Sequence, residues 1–384
     1  MIDRRTFNLG LGAGLATANV PGIAQAAPAY TGPNVVLIRF GGGVRRLETI
    51  DPAGTYAPFM MNELVPRGVL IPDMRIEQLD GVNTSHAEGT LTLLTGRYLA
   101  YRDAGSGFLD DRLEPTEPTL FEYLRDAFDL PSHQVLLING EDRPQEEFFT
   151  YTPTGHYGIE YRSEMLSLHR FKLYKFAQMI ADGRLDDDAL AAAEKQYAQL
   201  LAADQRAIVP DQSPELQRFW SGWRDYYGDD GFKNPRGDRL LTALALRAMA
   251  ELQPRLMMIN YQDPDYVHWG NASHYTRAIT VIDEGIARIV RAVDTNDFYR
   301  NNTVFVIVPD CGRDANDLMS VPFQHHFNSR SAHEIWALIF GAGITKGRIM
   351  DRMVDQSSVA ATVAAIMGVN ATRAEGDVLS GLSL

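Results

Sequence analysis

The chain has little cysteine, no long apolar run and fewer basic than acidic residues. Cys311 is the one cysteine among 384 residues, which excludes an internal disulfide, so a packed core must stabilise the fold. Lysine and arginine number 36 against 49 aspartates and glutamates, and the formal net charge is −13. This acidic balance argues against nucleic acid or an anionic membrane as a partner. Apart from the N-terminus, no segment resembles a transmembrane helix.

The first 26 residues have the pattern of a twin-arginine signal peptide. Arg4 and Arg5 form the arginine pair, a mildly apolar stretch rich in glycine and alanine follows, and an A-x-A cleavage site ends at Ala26. The apolar stretch is too short and too polar to span a bilayer. We therefore expect the twin-arginine export machinery to deliver residues 27–384 to the periplasm.

Continuous apolar runs alternate with helical patterns, which is typical of a mostly parallel sheet flanked by helices. Helical periodicity, alanine runs and acidic loops dominate residues 162–249, which predicts a helical insertion within one α/β domain. In such sheets, ligands bind beyond the carboxyl ends of the strands. The predicted strands cover residues 34–40, 134–139, 255–261, 303–309 and 335–340, and the predicted helices cover 119–128, 275–293 and 357–367.

Five of the nine histidines lie between Asp263 and His333, among carboxylates. These residues follow the third and fourth predicted strands, and the last of them precede the fifth, so we expect them to converge on one edge of the sheet. Imidazole nitrogens and carboxylate oxygens are ligands for divalent metals. A metal held there could bind an anionic ester or activate water. The alternative is a set of separate surface and core histidines.

The order of several short motifs resembles the sulfatase and alkaline phosphatase superfamily. The first strand ends in three glycines, and Leu-Leu-Thr-Gly-Arg follows at 93–97. Asp-Pro-Asp-Tyr-Val-His stands at 263–268, and the fourth strand ends in Pro-Asp-Cys-Gly at 309–312. Within this superfamily, Phe-Gly-Gly at 40–42 and Asp-Cys-Gly-Arg at 310–313 resemble motifs of poorly characterised, exported sulfatase-like proteins. The resemblance implies an alkaline-phosphatase-like α/β fold with two neighbouring metal sites and a nucleophile.

The resemblance also implies that one metal site uses an aspartate and a histidine from one strand end, plus a distant histidine. Asp265 and His268 fit the first two positions, with Asp263 as the substitute for the aspartate. His333 fits the third position, with His326 in reserve. Zinc or manganese is the metal expected from these ligand types.

The second metal site and the nucleophile depart from the pattern that the resemblance implies. Gly41 stands where an aspartate ligand is usual, and Cys311 follows Asp310 where a histidine is usual. His86 stands where a serine, threonine or modified cysteine is usual. Three interpretations stay open: His86 is a ligand beside Asp310 and water attacks, His86 attacks directly, or the chain is inactive and binds a ligand or partner.

Arg97 and Arg313 are the candidates for pairing with an anionic substrate, because a guanidinium group binds anions through paired hydrogen bonds. Each could instead form a structural ion pair. Taken together, the residues and the resemblance predict a periplasmic, metal-dependent hydrolase of phosphate or sulfate esters that acts on a small anionic substrate. The alternative is an inactive superfamily member that binds a ligand or a partner protein.

Overall fold

The structure is a computed structural model, and it describes most of the chain from residue 27 to residue 383. Neither the predicted signal peptide nor His326 lies within the described residues. Among the residues that are described, no helix has the length and apolar character needed to cross a membrane. The described residues are 27–77, 82, 84–105, 112–140, 148–153, 155–203, 213–229, 235–268, 271–314, 324–325 and 329–383.

Eleven strands are present in this part of the chain, and they include all five predicted apolar runs. The strands are β1 (Asn34–Phe40), β2 (Gly68–Arg75), β3 (Tyr101–Asp103), β4 (Leu113–Pro115), β5 (Val135–Ile138), β6 (Glu164–Leu166), β7 (Leu256–Tyr261), β8 (Thr303–Val308), β9 (Glu334–Gly341), β10 (Arg348–Ile349) and β11 (Val354–Asp355).

Nine of these strands form one sheet in the order β10-β2-β9-β8-β1-β7-β5-β6, with β11 also paired to β2. Strand β9 runs antiparallel to its neighbours β2 and β8, and the other pairings are parallel. Strands β3 and β4 form a separate antiparallel pair. The carboxyl ends of β1, β7 and β8 therefore meet at one edge of the sheet.

Helices cover both faces of the sheet, and four of them, α4 to α7, lie in or next to the region where the insertion was predicted. The edge strand β6 also lies in that region. The helices are α1 (Arg46–Thr49), α2 (His86–Thr95), α3 (Leu120–Phe128), α4 (Leu168–Ala181), α5 (Asp187–Ala203), α6 (Pro214–Tyr227), α7 (Asp238–Glu251), α8 (Ala272–Thr295) and α9 (Ser358–Ile366).

The buried residues of β1 show how the sheet separates two cores. Val36, Ile38 and Phe40 pack in one core with residues of α4, α6, α7 and α8. Val35 and Leu37 pack in the other core with residues of α2, α3 and α9. Burying a side chain of this kind contributes about 1.5–3 kcal/mol. Because both faces of the central strands are covered, the edge of the sheet remains the place where polar side chains can gather.

Candidate metal centre

Three short segments bring polar side chains to the carboxyl edge of the sheet. Asp265 lies in a single 3-10 turn, Asp263–Tyr266, just after β7. Asp310 follows the end of β8, and His86 is the first residue of α2. Strands β7 and β8 flank β1 in parallel register, so the two aspartates come from the strands on either side of β1.

Glycines after β1 allow the backbone to approach the turn that carries Asp265. A Cβ atom at Gly41 would lie 2.2 Å from the carbonyl oxygen of Tyr261, and one at Gly42 would lie 2.5 Å from the backbone nitrogen of Asp265. Gly42 also has a φ of +84°, a conformation that favours glycine. This backbone therefore has no room for an aspartate at position 41.

Three imidazoles direct Nε2 at one carboxylate oxygen, and we call these four residues the Asp265 cluster. Oδ1 of Asp265 lies 2.8 Å from Nε2 of His86 and 2.8 Å from Nε2 of His268. Nε2 of His325 lies 3.4 Å from the same oxygen. Asp265, His86 and His325 offer ligand atoms that all lie within 4.8 Å of one another. The cluster thus has the donors of a zinc-type site.

Each imidazole of the Asp265 cluster is oriented by an oxygen at Nδ1. Carboxylate, amide and carbonyl oxygens accept hydrogen bonds, so Nδ1 is the donor in all three cases. Histidines that bind metals through Nε2 are held in this way, with Nδ1–H donating to a neighbouring oxygen. The Nδ1 distances are 2.7 Å from His86 to Oδ2 of Asp310, 3.1 Å from His268 to Oε1 of Gln324, and 3.1 Å from His325 to the carbonyl oxygen of Thr84.

Opposite charges outweigh burial in the Asp265 cluster. Burial alone would lower the pKa of His86, but the carboxylates of Asp310 and Asp265 hold that pKa well above its ordinary value. Burial alone would raise the pKa of Asp265, but His86 and the other imidazoles hold it far below its usual range. Burial likewise opposes ionisation of Asp310, yet His86 lowers its pKa to about 2. A metal binding through Nε2 of His86 must therefore displace a proton.

Asp310 is fully buried and is surrounded by hydrogen-bond donors and positive charge. Its Oδ1 accepts a hydrogen bond from the backbone nitrogen of Cys311 at 2.9 Å. Its Oδ2, bound to His86, also lies 3.9 Å from Nε of Arg39. Arg39 is itself fully buried, and it donates through a terminal nitrogen to Oγ1 of Thr90 at 2.6 Å. A guanidinium group is thus fixed beside the carboxylate.

Cys311 is a buried neighbour of His86, with Sγ 3.9 Å from Nδ1. His86, Asp310 and Cys311 form a second group of candidate ligand atoms within 4.8 Å of one another. Burial, reinforced by the charge of Asp310, raises the pKa of the Cys311 thiol to about 11. Metal binding requires the thiolate, so an ion held by Cys311 would have to displace the thiol proton.

Two predicted ligands lie outside the Asp265 cluster. Nδ1 of the buried His333 donates to the carbonyl oxygen of Ser329 at 2.9 Å, and His333 belongs to neither group of candidate ligands. Asp263 instead accepts a hydrogen bond from the backbone nitrogen of Asp238 at 3.1 Å, at the start of α7. His326 lies outside the described residues, and its neighbour His325 supplies the third imidazole.

The two predicted anion-binding arginines are placed differently from each other. Arg97 follows α2, whose ten residues span about 15 Å, at the opposite end from His86. Its guanidinium pairs with Glu375 at 2.9 Å and with Glu117 at 3.6 Å. Arg313 lies beside the Asp265 cluster but is fully buried. These contacts are those of structural arginines.

Arg313 ties the loops around the Asp265 cluster together. It donates to the carbonyl oxygens of Gly43 and Val267 at 2.6 Å each, and to that of Pro264 at 3.0 Å. Its guanidinium also stacks 4.9 Å from the centre of the Tyr275 ring. The loops after β1 and β7 are therefore fixed to the segment that follows β8.

Sequence reasoning missed His325 and Arg39 as members of the site. His325 stands in a pair with His326, and nothing in the sequence shows which of the two turns toward Asp265. Arg39 did leave a signal, because it is a charged residue inside the apolar run of β1. A buried charge is costly unless it is paired, so an acidic partner could have been expected.

The mixed sheet with helices on both faces is an alkaline-phosphatase-like α/β fold, as the motif order predicted. The alkaline phosphatase PafA matches with a TM-score of 0.57 and 12% sequence identity, over 93% of this chain and 100% of that chain. A 2-O GAG sulfatase, BT1596, matches with a TM-score of 0.55 and 12% identity, over 91% of this chain and 74% of that chain. No family model and no curated protein matches the sequence.

Proposed function

We propose that the protein is a metal-dependent hydrolase of phosphate or sulfate esters that works in the periplasm. The observation that carries the proposal is the Asp265 cluster, in which three imidazoles with fixed Nδ1 atoms direct Nε2 at one carboxylate oxygen. The names of the similar solved structures, an alkaline phosphatase and a sulfatase, support the ester class. The arginine pair and A-x-A site of the N-terminus support the location.

The donors of the Asp265 cluster fit zinc, which binds imidazole nitrogens and carboxylate oxygens, and they also suit manganese. Asp265, His86 and His325 would hold the ion, with His268 beside them. A divalent metal there would act as a Lewis acid and lower the pKa of bound water. The chain's own part is to keep the imidazoles oriented through the oxygens at Nδ1.

Water is the nucleophile that the surrounding hydrogen bonds favour. The hydroxyl of Ser85 caps α2 by accepting a hydrogen bond from the backbone nitrogen of Glu88. Thr84 bonds through its hydroxyl to the carbonyl oxygen of His325. Thr90 donates to the carbonyl oxygen of His86 at 2.6 Å. Each of the three hydroxyls nearest to His86 in the sequence thus has a structural role, and both nitrogens of His86 face carboxylates.

The test is turnover by mature protein loaded with zinc or manganese, on a panel of aryl phosphate, phosphodiester and sulfate esters. We expect hydrolysis of at least one ester, and we expect Asp265→Asn and His325→Ala to reduce it to the background rate. His274→Ala, a change at an exposed histidine that belongs to neither group of candidate ligands, is the matched control and should leave the rate unchanged.

Two outcomes would contradict the proposal. One is wild-type protein that binds metal but hydrolyses no ester, which would favour the inactive, ligand-binding alternative. The other is full activity in both Asp265→Asn and His325→Ala. If His333→Ala removed the metal while His325→Ala kept it, the ligand set predicted from the sequence would replace the one drawn from the geometry.

A further inference from the structure

We propose that Asp310 and Arg39 form the outer sphere of a single metal centre, and that the Asp310 side of the site binds no second metal. This inference rests on the metal centre of the proposed function. The groups involved are the orienting carboxylate of Asp310, the fixed guanidinium of Arg39 and the imidazole of His86 between the two aspartates.

Among the residues that the structure describes, few ligand groups reach the Asp310 side of the site. A Cβ atom at position 41 would lie 2.2 Å from the carbonyl oxygen of Tyr261, 2.9 Å from Nε of Arg39 and 3.3 Å from Oδ2 of Asp310. The space where a further carboxylate would enter is therefore already filled by backbone and by Arg39. Cys311 adds a fully buried thiol, with Sγ 3.9 Å from Nδ1 of His86. Within the described residues, Asp310 is the one carboxylate in the group of candidate ligands that it forms with His86 and Cys311.

The positive charge of Arg39 opposes the binding of a second metal at Asp310. A guanidinium group keeps its positive charge at every pH that the protein experiences. Arg39 is fully buried and its Nε lies 3.9 Å from Oδ2 of Asp310, the oxygen that also faces His86. Because solvent screens this charge little, it repels a second divalent ion at Asp310. Arg39 thus gives the carboxylate of Asp310 a positively charged neighbour whose charge does not change with pH.

The geometry of His86 places Asp310 in the outer sphere of the metal centre. Its Nδ1 donates to Asp310 at 2.7 Å, while its Nε2 faces Asp265 at 2.8 Å. A carboxylate that accepts from one imidazole nitrogen while the other nitrogen faces the metal is the common outer-sphere arrangement of metal-binding histidines. Asp310 therefore orients His86, and the guanidinium of Arg39 lies beside the carboxylate of Asp310.

The experiment is a zinc titration, with metal content measured, of wild-type protein, Asp310→Asn and Asp265→Asn. We expect one zinc per chain in the wild type, one zinc bound about 10–100-fold more weakly in Asp310→Asn, and none in Asp265→Asn. Arg218→Met, which removes an exposed arginine, is the control for changes in overall charge and should bind as the wild type does.

The outcomes separate this inference from the proposed function. Two zinc ions in the wild type and one in Asp310→Asn would overturn the inference and leave the hydrolase standing, as would unchanged affinity in Asp310→Asn. One zinc with the expected loss of affinity, but no ester hydrolysis, would support the inference and refute the hydrolase. Wild-type protein that binds neither zinc nor manganese would overturn both.

A second measurement needs no variant and so does not depend on whether Asp310→Asn folds. X-ray absorption at the zinc edge of wild-type protein should show nitrogen and oxygen ligands at about 2.0–2.2 Å and no sulfur ligand. A zinc–sulfur distance of about 2.3 Å would place the ion at Cys311, on the Asp310 side, and would overturn the inference.

Discussion

A charged histidine between two carboxylates makes the stability of this protein depend on pH. Asp310 and Asp265 raise the pKa of His86, so the stabilisation from its charge is fully present below its ordinary pKa of about 6.5 and is lost as the pH rises through the raised value. We expect the melting temperature of chelator-treated protein to fall as the pH rises above about 6.5. The same slope in His86→Asn would contradict this assignment.

Asp310 has the opposite dependence on pH. Its pKa is lowered to about 2 from an ordinary value of 3.8, because His86 outweighs the effect of burial. Its contribution to stability is therefore present above about pH 4 and is lost as the pH falls toward 2. The two groups together place the greatest stability of the metal-free protein on the mildly acidic side of neutrality.

Among the residues around the metal centre, Arg39 is the one whose replacement should lower the free energy of unfolding most. Replacing it by methionine keeps much of the volume but leaves Asp310 buried without one of its positive neighbours. Breaking a buried ion pair in this way costs about 3–5 kcal/mol of the free energy of unfolding. Urea unfolding would measure the cost, and Arg218→Met, at an exposed pair, should change stability by less than about 0.5 kcal/mol.

At the scale of elements, the substitution Gly89→Ala tests how closely α2 packs against the segment that follows β8. Helix propensity alone predicts that Gly89→Ala stabilises the protein by about 1 kcal/mol. The packing predicts the opposite sign, because the new Cβ atom would lie 2.4 Å from the carbonyl oxygen of Asp310. We expect a loss of about 1–3 kcal/mol in urea unfolding and weaker metal binding, since α2 begins with His86. A gain in stability would show that the helix shifts freely.

The central strands could be predicted from the sequence because both of their faces are covered and their apolar runs are continuous. Strand β2 was missed for a physical reason. Pro72 interrupts its apolar run, and the pairing with β9 shifts register between Ile71 and Met74, so the segment resembles a loop. The hydrophobic pattern therefore predicted the strands that position the site, but it did not predict β2.

The candidate site was only partly predictable for a different reason. Asp265, His268 and Asp310 follow strands directly, so their place at the carboxyl edge follows from the order of strands and helices. His325 lies in a segment far from any strand end, and no periodicity shows which way its imidazole turns. Distances between loops decide such contacts, and a single sequence does not contain them.

At the scale of the whole molecule, export through the twin-arginine route stays a prediction with a direct test. Replacing Arg4 and Arg5 by lysine keeps the charge and removes the arginine pair. We expect the full-length precursor to accumulate in the cytoplasm, while the unchanged chain appears in the periplasm beginning near Ala27. Fractionation followed by N-terminal sequencing would show this, and normal export of the double variant would refute it.

The metal centre at Asp265 is the central claim, and the metal content of the purified protein tests it most directly. Mature protein recovered from the periplasm would be compared with Asp265→Asn prepared in the same way, and both would be examined by elemental analysis. The predicted result is stoichiometric zinc or manganese in the wild type and none in the variant. Equal metal content in the two proteins, or none in the wild type after zinc and manganese are supplied, would contradict the account.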